Sequence, residues 1–107
     1  MTSEFKYFDG YYISDSKAAY YNLDGTYKDK TGIIQSFVNG KLHKSNGPAV
    51  EWPDGSSAWY INGKLHRIDG AAYETDSGYK SWYIDGNSVT HLEHKLLYDT
   101  MKLKGLL

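Results

Sequence analysis

A short motif that recurs along the chain constrains the fold more than any other feature of the sequence. Four times, an aromatic residue, an apolar residue, Asn or Asp, and Gly follow one another. The copies begin at positions 7, 37, 60 and 83, so the last two steps are 23 residues long. A fixed period of this length indicates a repeat architecture, in which each unit buries its apolar face against the next. The copies are Tyr7-Phe8-Asp9-Gly10, Phe37-Val38-Asn39-Gly40, Tyr60-Ile61-Asn62-Gly63 and Tyr83-Ile84-Asp85-Gly86.

The similarity between copies extends past this motif. Residues 39–44 read Asn-Gly-Lys-Leu-His-Lys, and residues 62–67 read Asn-Gly-Lys-Leu-His-Arg. In the first copy, Ala18-Ala19-Tyr20-Tyr21 keeps the frame of residues 48–51, and about seven extra residues near 29–35 are interpreted as a longer hairpin loop. We predict one domain, 1–107, with repeat units at about 7–36, 37–59 and 60–82 and a partial unit at 83–89.

Each unit contains two turn signals between alternating apolar residues. Asn-Gly and Asp-Gly are strong hairpin signals, because both central residues of a type I′ turn have positive φ. The predicted fold class is therefore mainly β, an antiparallel meander of stacked 23-residue β-hairpins. Two predicted hairpins are 58–61 with 64–67 around Asn62-Gly63, and 49–52 with 57–61 around Asp54-Gly55.

Alternation along these strands sorts the side chains onto two faces. In the predicted register Tyr60 lies opposite both Leu65 and Ala49, and Glu51 lies opposite Ala58. Positions that are alike in every unit are expected to form the core. Those positions are Phe37/Tyr60/Tyr83, Leu42/Leu65 and Ala49/Ala72.

The opposite face carries large aromatic residues at positions that differ between units. The two sets of equivalent positions are Asn22/Trp52/Thr75 and Ser36/Trp59/Trp82. Trp and Tyr dominate the affinity of protein interfaces, so this face is the predicted binding surface. A curled sheet that buries both faces is the alternative. The predicted partner-binding residues are Trp52, Trp59, Lys64, His66, Tyr73 and Trp82.

The chain changes character after residue 89. Thr90 and Glu93 fit a capping box, with Thr90 as N-cap. Leu92, Leu96 and Leu103 then fall on one side of a helix, so residues 91–104 are predicted to be helical. We expect this helix to cap the last repeat by covering its open edge or its apolar layer.

Composition excludes several classes of protein. The 107 residues contain no cysteine, which excludes a disulfide framework and favours a reducing compartment. No apolar run is long enough to span a membrane, and residues 1–6 lack the apolar region of a signal peptide. The formal charge of −1 argues against a nucleic-acid partner. Aromatic residues interleaved with Lys44, Lys64, Arg67 and Lys80 nevertheless keep single-stranded nucleic acid as an alternative partner.

Catalytic and metal-binding patterns are weak. Glu51 and Glu74 could form an acid–base pair, but a repeat brings equivalent residues close together without any chemistry. His43 and His66 occupy equivalent turns, so we expect them to make the same structural hydrogen bond twice. We therefore predict a non-enzymatic protein with no catalytic residue, no bound metal and no cofactor.

The 23-residue step, Pro-Asp-Gly at 53–55 and Trp-Tyr-Ile-Asn-Gly-Lys-Leu-His at 59–66 together resemble the MORN repeat. The similarity is greater to a Trp-Tyr-x-Asn-Gly-x-x-His-Arg-x-Asp-Gly variant found in large bacteriophages and giant viruses. It covers residues 37–95 well and 7–36 loosely. The resemblance implies a small viral protein in the cytoplasm of a host cell, where it binds and modulates or inhibits a host protein such as a defence component. A structural homo-oligomer formed through the open sheet edge is a further alternative.

Overall fold

The computed structural model describes residues 5–107, so residues 1–4 of the segment searched for a signal peptide lie outside the described part. Strands β1 to β6 are Lys6–Tyr7, Gly25–Lys28, Ile34–Val38, Lys41–Leu42, Val50–Glu51 and Ser57–Ala58. Strands β7 to β11 are Tyr60–Ile61, Lys64–Leu65, Tyr73–Glu74, Lys80–Ile84 and Asn87–Val89. Helix α1 is Asp15–Tyr20, and helix α2 is His91–Leu103.

Most strands belong to one sheet. Its order is β1-β2-β3-β5-β6-β9-β10-β11, with β4 also paired to β3. The β1–β2 pair is parallel, and the other pairings are antiparallel. The prediction of a mainly β, mostly antiparallel fold with a C-terminal helix is therefore confirmed. Strands β7 and β8 form a separate two-stranded sheet. Strands β6 and β9, which precede and follow them in the chain, pair directly with each other. The chain therefore departs from an uninterrupted meander.

The predicted Asn-Gly hairpin turns are confirmed. Asn62 and Gly63 have φ of 51° and 81°, and Tyr60 pairs with Leu65 as expected. Asn39-Gly40 and Asp85-Gly86 have the same left-handed geometry. Asn and Gly tolerate positive φ better than other residues, which explains why these dipeptides mark the turns.

The hairpin around Asp54-Gly55 is shifted by one residue from the predicted register. Val50 pairs with Ala58, and Glu51 pairs with Ser57. The predicted pairs Ala49–Tyr60 and Glu51–Ala58 are therefore wrong. The physical reason is that the loop is longer than a two-residue turn. The Trp52 N–H closes it by donating to the Ser56 carbonyl at 3.0 Å. The carboxylate of Asp54 accepts the Ser56 N–H at 2.8 Å, and this contact lowers the pKa of Asp54.

The same loop occurs three times at 23-residue spacing. Its closing N–H to carbonyl bond joins residues 29 and 33, 52 and 56, and 75 and 79, over 3.0 to 3.1 Å. Residues 29–35 are therefore in frame with 52–58, and the predicted insertion there is wrong. Asp29, and not Asn22, is the equivalent of Trp52.

Asp29 shows why its loop needs a carboxylate. Its Oδ1 accepts the Thr31 N–H at 2.8 Å, the Thr31 hydroxyl at 2.7 Å and the Ile33 N–H at 3.1 Å. Burial by itself would raise the pKa of Asp29, but these hydrogen bonds outweigh it and hold the pKa below its ordinary value.

The irregular part of the chain lies before β2. Residues 7–10 do not form a positive-φ turn, because Tyr7 belongs to β1 and Asp9 and Gly10 lack left-handed geometry. Ala18-Ala19-Tyr20 lies in α1 instead of a strand. A Cβ added at Gly40 would lie 2.9 Å from the carbonyl oxygen of Ala18, so α1 packs closely against the first Asn-Gly turn.

The core contains most of the positions that were predicted to be buried, together with one residue of the opposite face. Phe37, Leu42 and Ala49 are buried, and Tyr60 and Leu65 pack half-buried against them. Burial, with a contribution from the nearby Asp15 charge, raises the pKa of Tyr60 above its ordinary value. Val50, which by strand alternation faces away from Ala49, is also fully buried. The strand at 49–50 is therefore covered on both sides, as in the curled-sheet alternative.

Ile13 is held in this core by a buried amide. The Oε1 of Gln35 accepts the Ile13 N–H at 2.9 Å, and its Nε2 donates to the Ile13 carbonyl at 3.0 Å. Gln35 thus satisfies its own polar atoms and those of the segment that leads into α1.

Helix α2 begins as predicted but docks through the other face. Thr90 and Glu93 form both hydrogen bonds of the capping box, over 3.1 Å and 2.8 Å. The leucines at 92, 96 and 103 are exposed, so the expected leucine contact with the last repeat is wrong. The docked face instead contains His94, which is 5% exposed, and the half-buried Tyr98 and Met101.

We predict that the docked face, and not the leucine face, contributes to stability. His94→Ala should lower the free energy of unfolding by about 1–3 kcal/mol, because it removes a buried ring and its hydrogen bond to the Arg67 carbonyl. Leu96→Asp should change it by less than about 0.5 kcal/mol in dilute solution, because Leu96 is exposed. Denaturant unfolding of both variants measures this difference, and a larger loss for Leu96→Asp would show that the helix docks the other way round.

Candidate binding cleft

The structure does not bring the six predicted binding residues together at one site. Trp52 and Tyr73 are half-buried and pack against the core, with ring centroids 6.2 Å apart and planes at 90°. Their edge-to-face contact is typical of packed aromatic pairs. Trp59 and His66 lie elsewhere, in the wall of a cleft beside the loop at 66–69.

Trp59 is fixed by its own backbone between β6 and β7. Its N–H donates to the Ala72 carbonyl at 2.7 Å, and its carbonyl accepts the His66 N–H at 3.0 Å. The indole ring lies beneath the guanidinium group of Arg67, whose Cζ is 3.8 Å from the ring centroid. This distance is well within the range of a cation–π contact.

Two hydrogen bonds and an ion pair hold Arg67 in that position. Its Nε donates to Asp69 at 2.9 Å, and one terminal nitrogen donates to the Ala71 carbonyl at 3.2 Å. The same terminal nitrogen lies 3.6 Å from the carboxylate of Glu74. Because a guanidinium group is planar and rigid, these contacts fix its position over the ring of Trp59.

Helix α2 forms the facing wall of the cleft. The His94 Nε2 donates to the carbonyl of Arg67 over 2.7 Å, which ties the helix to the loop that carries the cation. The rings of His91 and Trp82 are stacked, with centroids 4.2 Å apart and planes within 6°. Tyr98 of this helix lines the cleft together with Trp59, whereas Trp82 does not line it.

The resulting cleft has a volume of about 690 Å³. Its walls are mainly apolar, with a few polar groups near the loop at 66–69. Clefts of this size and character are common ligand and side-chain sites. The lining residues are Ser45, Asn46, Trp59, Ile61, His66, Arg67, Ile68, Asp69, Tyr98 and Leu107.

His66 and Lys64 contribute less to the cleft than predicted. The Nδ1 of His66 accepts the Asp85 N–H at 2.9 Å, and the Nδ1 of His43 accepts the Asn62 N–H at 3.1 Å. The expectation that both histidines make the same structural hydrogen bond is confirmed. Lys64 is exposed, and its aliphatic stem lies beside Gly86 outside the cleft.

Of the ten residues that line the cleft, the sequence prediction contained only Trp59 and His66. Three of the eight missed residues are informative. Arg67 was noted only as a scattered cation, although it follows the repeated His in the same way that Lys44 does. Tyr98 lies on the helix face opposite the leucines. Docking through the leucines would leave that face exposed. Leu107 reaches the cleft because the chain turns at Gly105, where φ is 72°. A helical-wheel comparison of the two α2 faces was the signal that could have identified Tyr98.

Other chemistry finds little support in the described part of the chain. Within residues 5–107, no group of three or more His, Asp or Glu side chains converges as metal ligands would. Neither α1 nor α2 is long and apolar enough to cross a lipid bilayer. Asp69, the acid group in the cleft wall, is paired with Arg67.

Comparison with known proteins finds no matching family model, no similar curated protein and no similar solved structure.

The turn acceptors give a direct prediction. In the first turn the Asp24 carboxylate accepts the Asn39 N–H at 2.8 Å, as His43 does for Asn62. His43→Leu should therefore cost about 1 kcal/mol of unfolding free energy, whereas His43→Asp should retain most of it. Both are measured by denaturant unfolding. Equal losses in the two variants would mean that the ring acts by packing and not as an acceptor.

Proposed function

We propose that this chain is a small, non-catalytic protein-binding module and that the cleft between the loop at 66–69 and helix α2 is its binding site. One observation carries the proposal. The Arg67 guanidinium lies over the ring of Trp59 in a cleft that is open to solvent, and two hydrogen bonds and an ion pair with Glu74 hold the cation in place. Trp, Tyr and Arg are the residues that most often anchor protein interfaces.

Rigidity adds to this argument. An anchor that is already ordered loses little conformational entropy when a partner binds. Trp59 is fixed through its backbone on both sides, and Arg67 through its hydrogen bonds. The cleft can therefore accept an apolar side chain of a partner between Trp59 and Tyr98 without first rearranging.

A catalytic role is less well supported. The His66 Nδ1 already accepts a backbone N–H, and Asp69 is paired with Arg67. A general base must be within reach of the proton that it abstracts, and the polar groups near the loop at 66–69 are used in holding that loop.

The repeat identity is part of the proposal. We infer a domain of stacked MORN-like hairpins, because the hydrogen bonds around each Asn-Gly or Asp-Gly turn recur at 23-residue spacing. The likeness of residues 59–66 to repeats of phages and giant viruses then favours a protein of the infected cell as the partner.

Single-stranded nucleic acid is the weaker candidate. Base stacking needs free aromatic faces, whereas one face of Trp59 is covered by Arg67 and one face of Trp82 by His91. The formal charge of −1 also provides little attraction for a polyanion.

The test compares two neighbouring leucines. Leu107 lines the cleft, whereas Leu106 lies outside it. The two are similarly exposed, Leu107 at 57% and Leu106 at 63%. Proteins captured from a bacterial lysate by the unaltered chain are identified, purified and titrated against each variant. Leu107→Asp should weaken binding by at least about tenfold, and Leu106→Asp should leave it unchanged. Trp59→Ala should weaken it by about 30-fold.

Two results would contradict the proposal. One is equal affinity of Leu107→Asp and Leu106→Asp for every captured protein. The other is binding of a labelled single-stranded oligonucleotide that falls steeply with salt and is lost in Trp59→Ala. Circular dichroism of each variant separates lost binding from lost folding.

A further inference from the structure

Helix α2 has two apolar faces, and only one is used within the chain. The docked face carries His94, Tyr98 and Met101. The leucine row, defined as Leu92, Leu96 and Leu103, lies on the other side with exposures of 65%, 57% and 90%. Contiguous exposed apolar side chains are typical of a surface that another molecule covers.

The leucine row is straight. Leu92 and Leu103 are eleven residues apart, which is about three turns, so they lie within about 20° of each other around the helix axis. Leu96 lies about 40° from Leu92 by the same geometry. A second helix can therefore lie along the row and contact all three side chains.

The charges beside the leucine row indicate which second helix covers it. Glu93 at the start of α2 and Lys104 at its C-cap are also eleven residues apart, so they lie on the same flank of the row. Neither makes an ion pair with another residue of the described 5–107 segment. On the other flank, Lys95 is already paired with Asp99 at 2.9 Å.

An acidic start and a basic end on one flank are complementary to the same helix running in the opposite direction. We propose that two copies of this chain associate through antiparallel pairing of their α2 helices. A two-fold axis near the middle of α2 brings Leu92 of one copy against Leu103 of the other. The same axis brings Glu93 of each copy near Lys104 of the other, so the ion pair forms twice.

Six leucines make a small interface, so the dimer is weak and depends on concentration. Sedimentation equilibrium between about 1 μM and about 1 mM should show a reversible monomer–dimer equilibrium for the full chain. Leu96→Asp should abolish dimerisation, because it places a charge at the centre of the row. A monomer at every concentration would overturn the proposal and leave the row to a different protein.

Two substitutions of the same chemistry test the charge argument. Lys104→Glu places like charges together twice and should weaken the dimer by about tenfold. Lys102→Glu, on the opposite flank near Lys95, should not weaken it. Equal weakening by the two variants would overturn the antiparallel pairing.

Single cysteines test the direction of the helices directly, because the natural chain contains none. Leu96→Cys lies near the two-fold axis and should form a disulfide-linked dimer on mild oxidation. Leu103→Cys lies at the end of the row, far from its copy in an antiparallel pair, and should not. Cross-linking of both variants would indicate parallel helices and contradict the proposal. Trp59→Ala should dimerise like the unaltered chain, which separates this proposal from the binding cleft.

Discussion

The rest of the structure depends on a side-chain acceptor that receives the backbone N–H of the next turn. Asp24, His43 and His66 perform this role for residues 39, 62 and 85, over 2.8 to 3.1 Å. Beside each acceptor, the carbonyl of the preceding Leu receives the N–H of the turn glycine at 2.8 Å. The strands between turns are only two to five residues long, so these contacts fix the spacing that short ladders cannot fix alone.

Both ends of this series are altered. At the start, α1 packs against Gly40, and Asp24 replaces the first histidine. At the end, position 89 is Val instead of His, so it offers no ring nitrogen to a further turn. Helix α2 begins two residues later and covers the loop of Arg67 and the ring of Trp82. The cleft therefore forms where the repeated turns end and the helix begins.

The sequence was sufficient for features with local causes. Positive φ at Asn62-Gly63, the capping box at Thr90 and the shared role of His43 and His66 follow from chemistry within a few residues or from repetition. The predicted register near Asp54 is wrong because a three-residue loop and a two-residue turn can share the same Asp-Gly signal.

The docking of α2 was missed for a tertiary reason. Its leucines are the most hydrophobic residues of the helix. The helix nevertheless docks through His94, which bonds to the carbonyl of Arg67, and through His91, which stacks on the ring of Trp82. Hydrophobicity alone therefore selected the wrong face. Trp52 was assigned to the binding surface because Asn22 was taken as its equivalent, and the loop at 29–33 corrects that alignment.

Amide hydrogen exchange tests the central role of the turn acceptors most directly. Asn62, Gly63, Asp85 and Gly86 are exposed residues, so only their hydrogen bonds to the preceding unit can slow exchange of their N–H groups. The account predicts that these four amides exchange as slowly as amides of the central strand β3. Exchange as fast as that of the exposed Asp54 loop would contradict it.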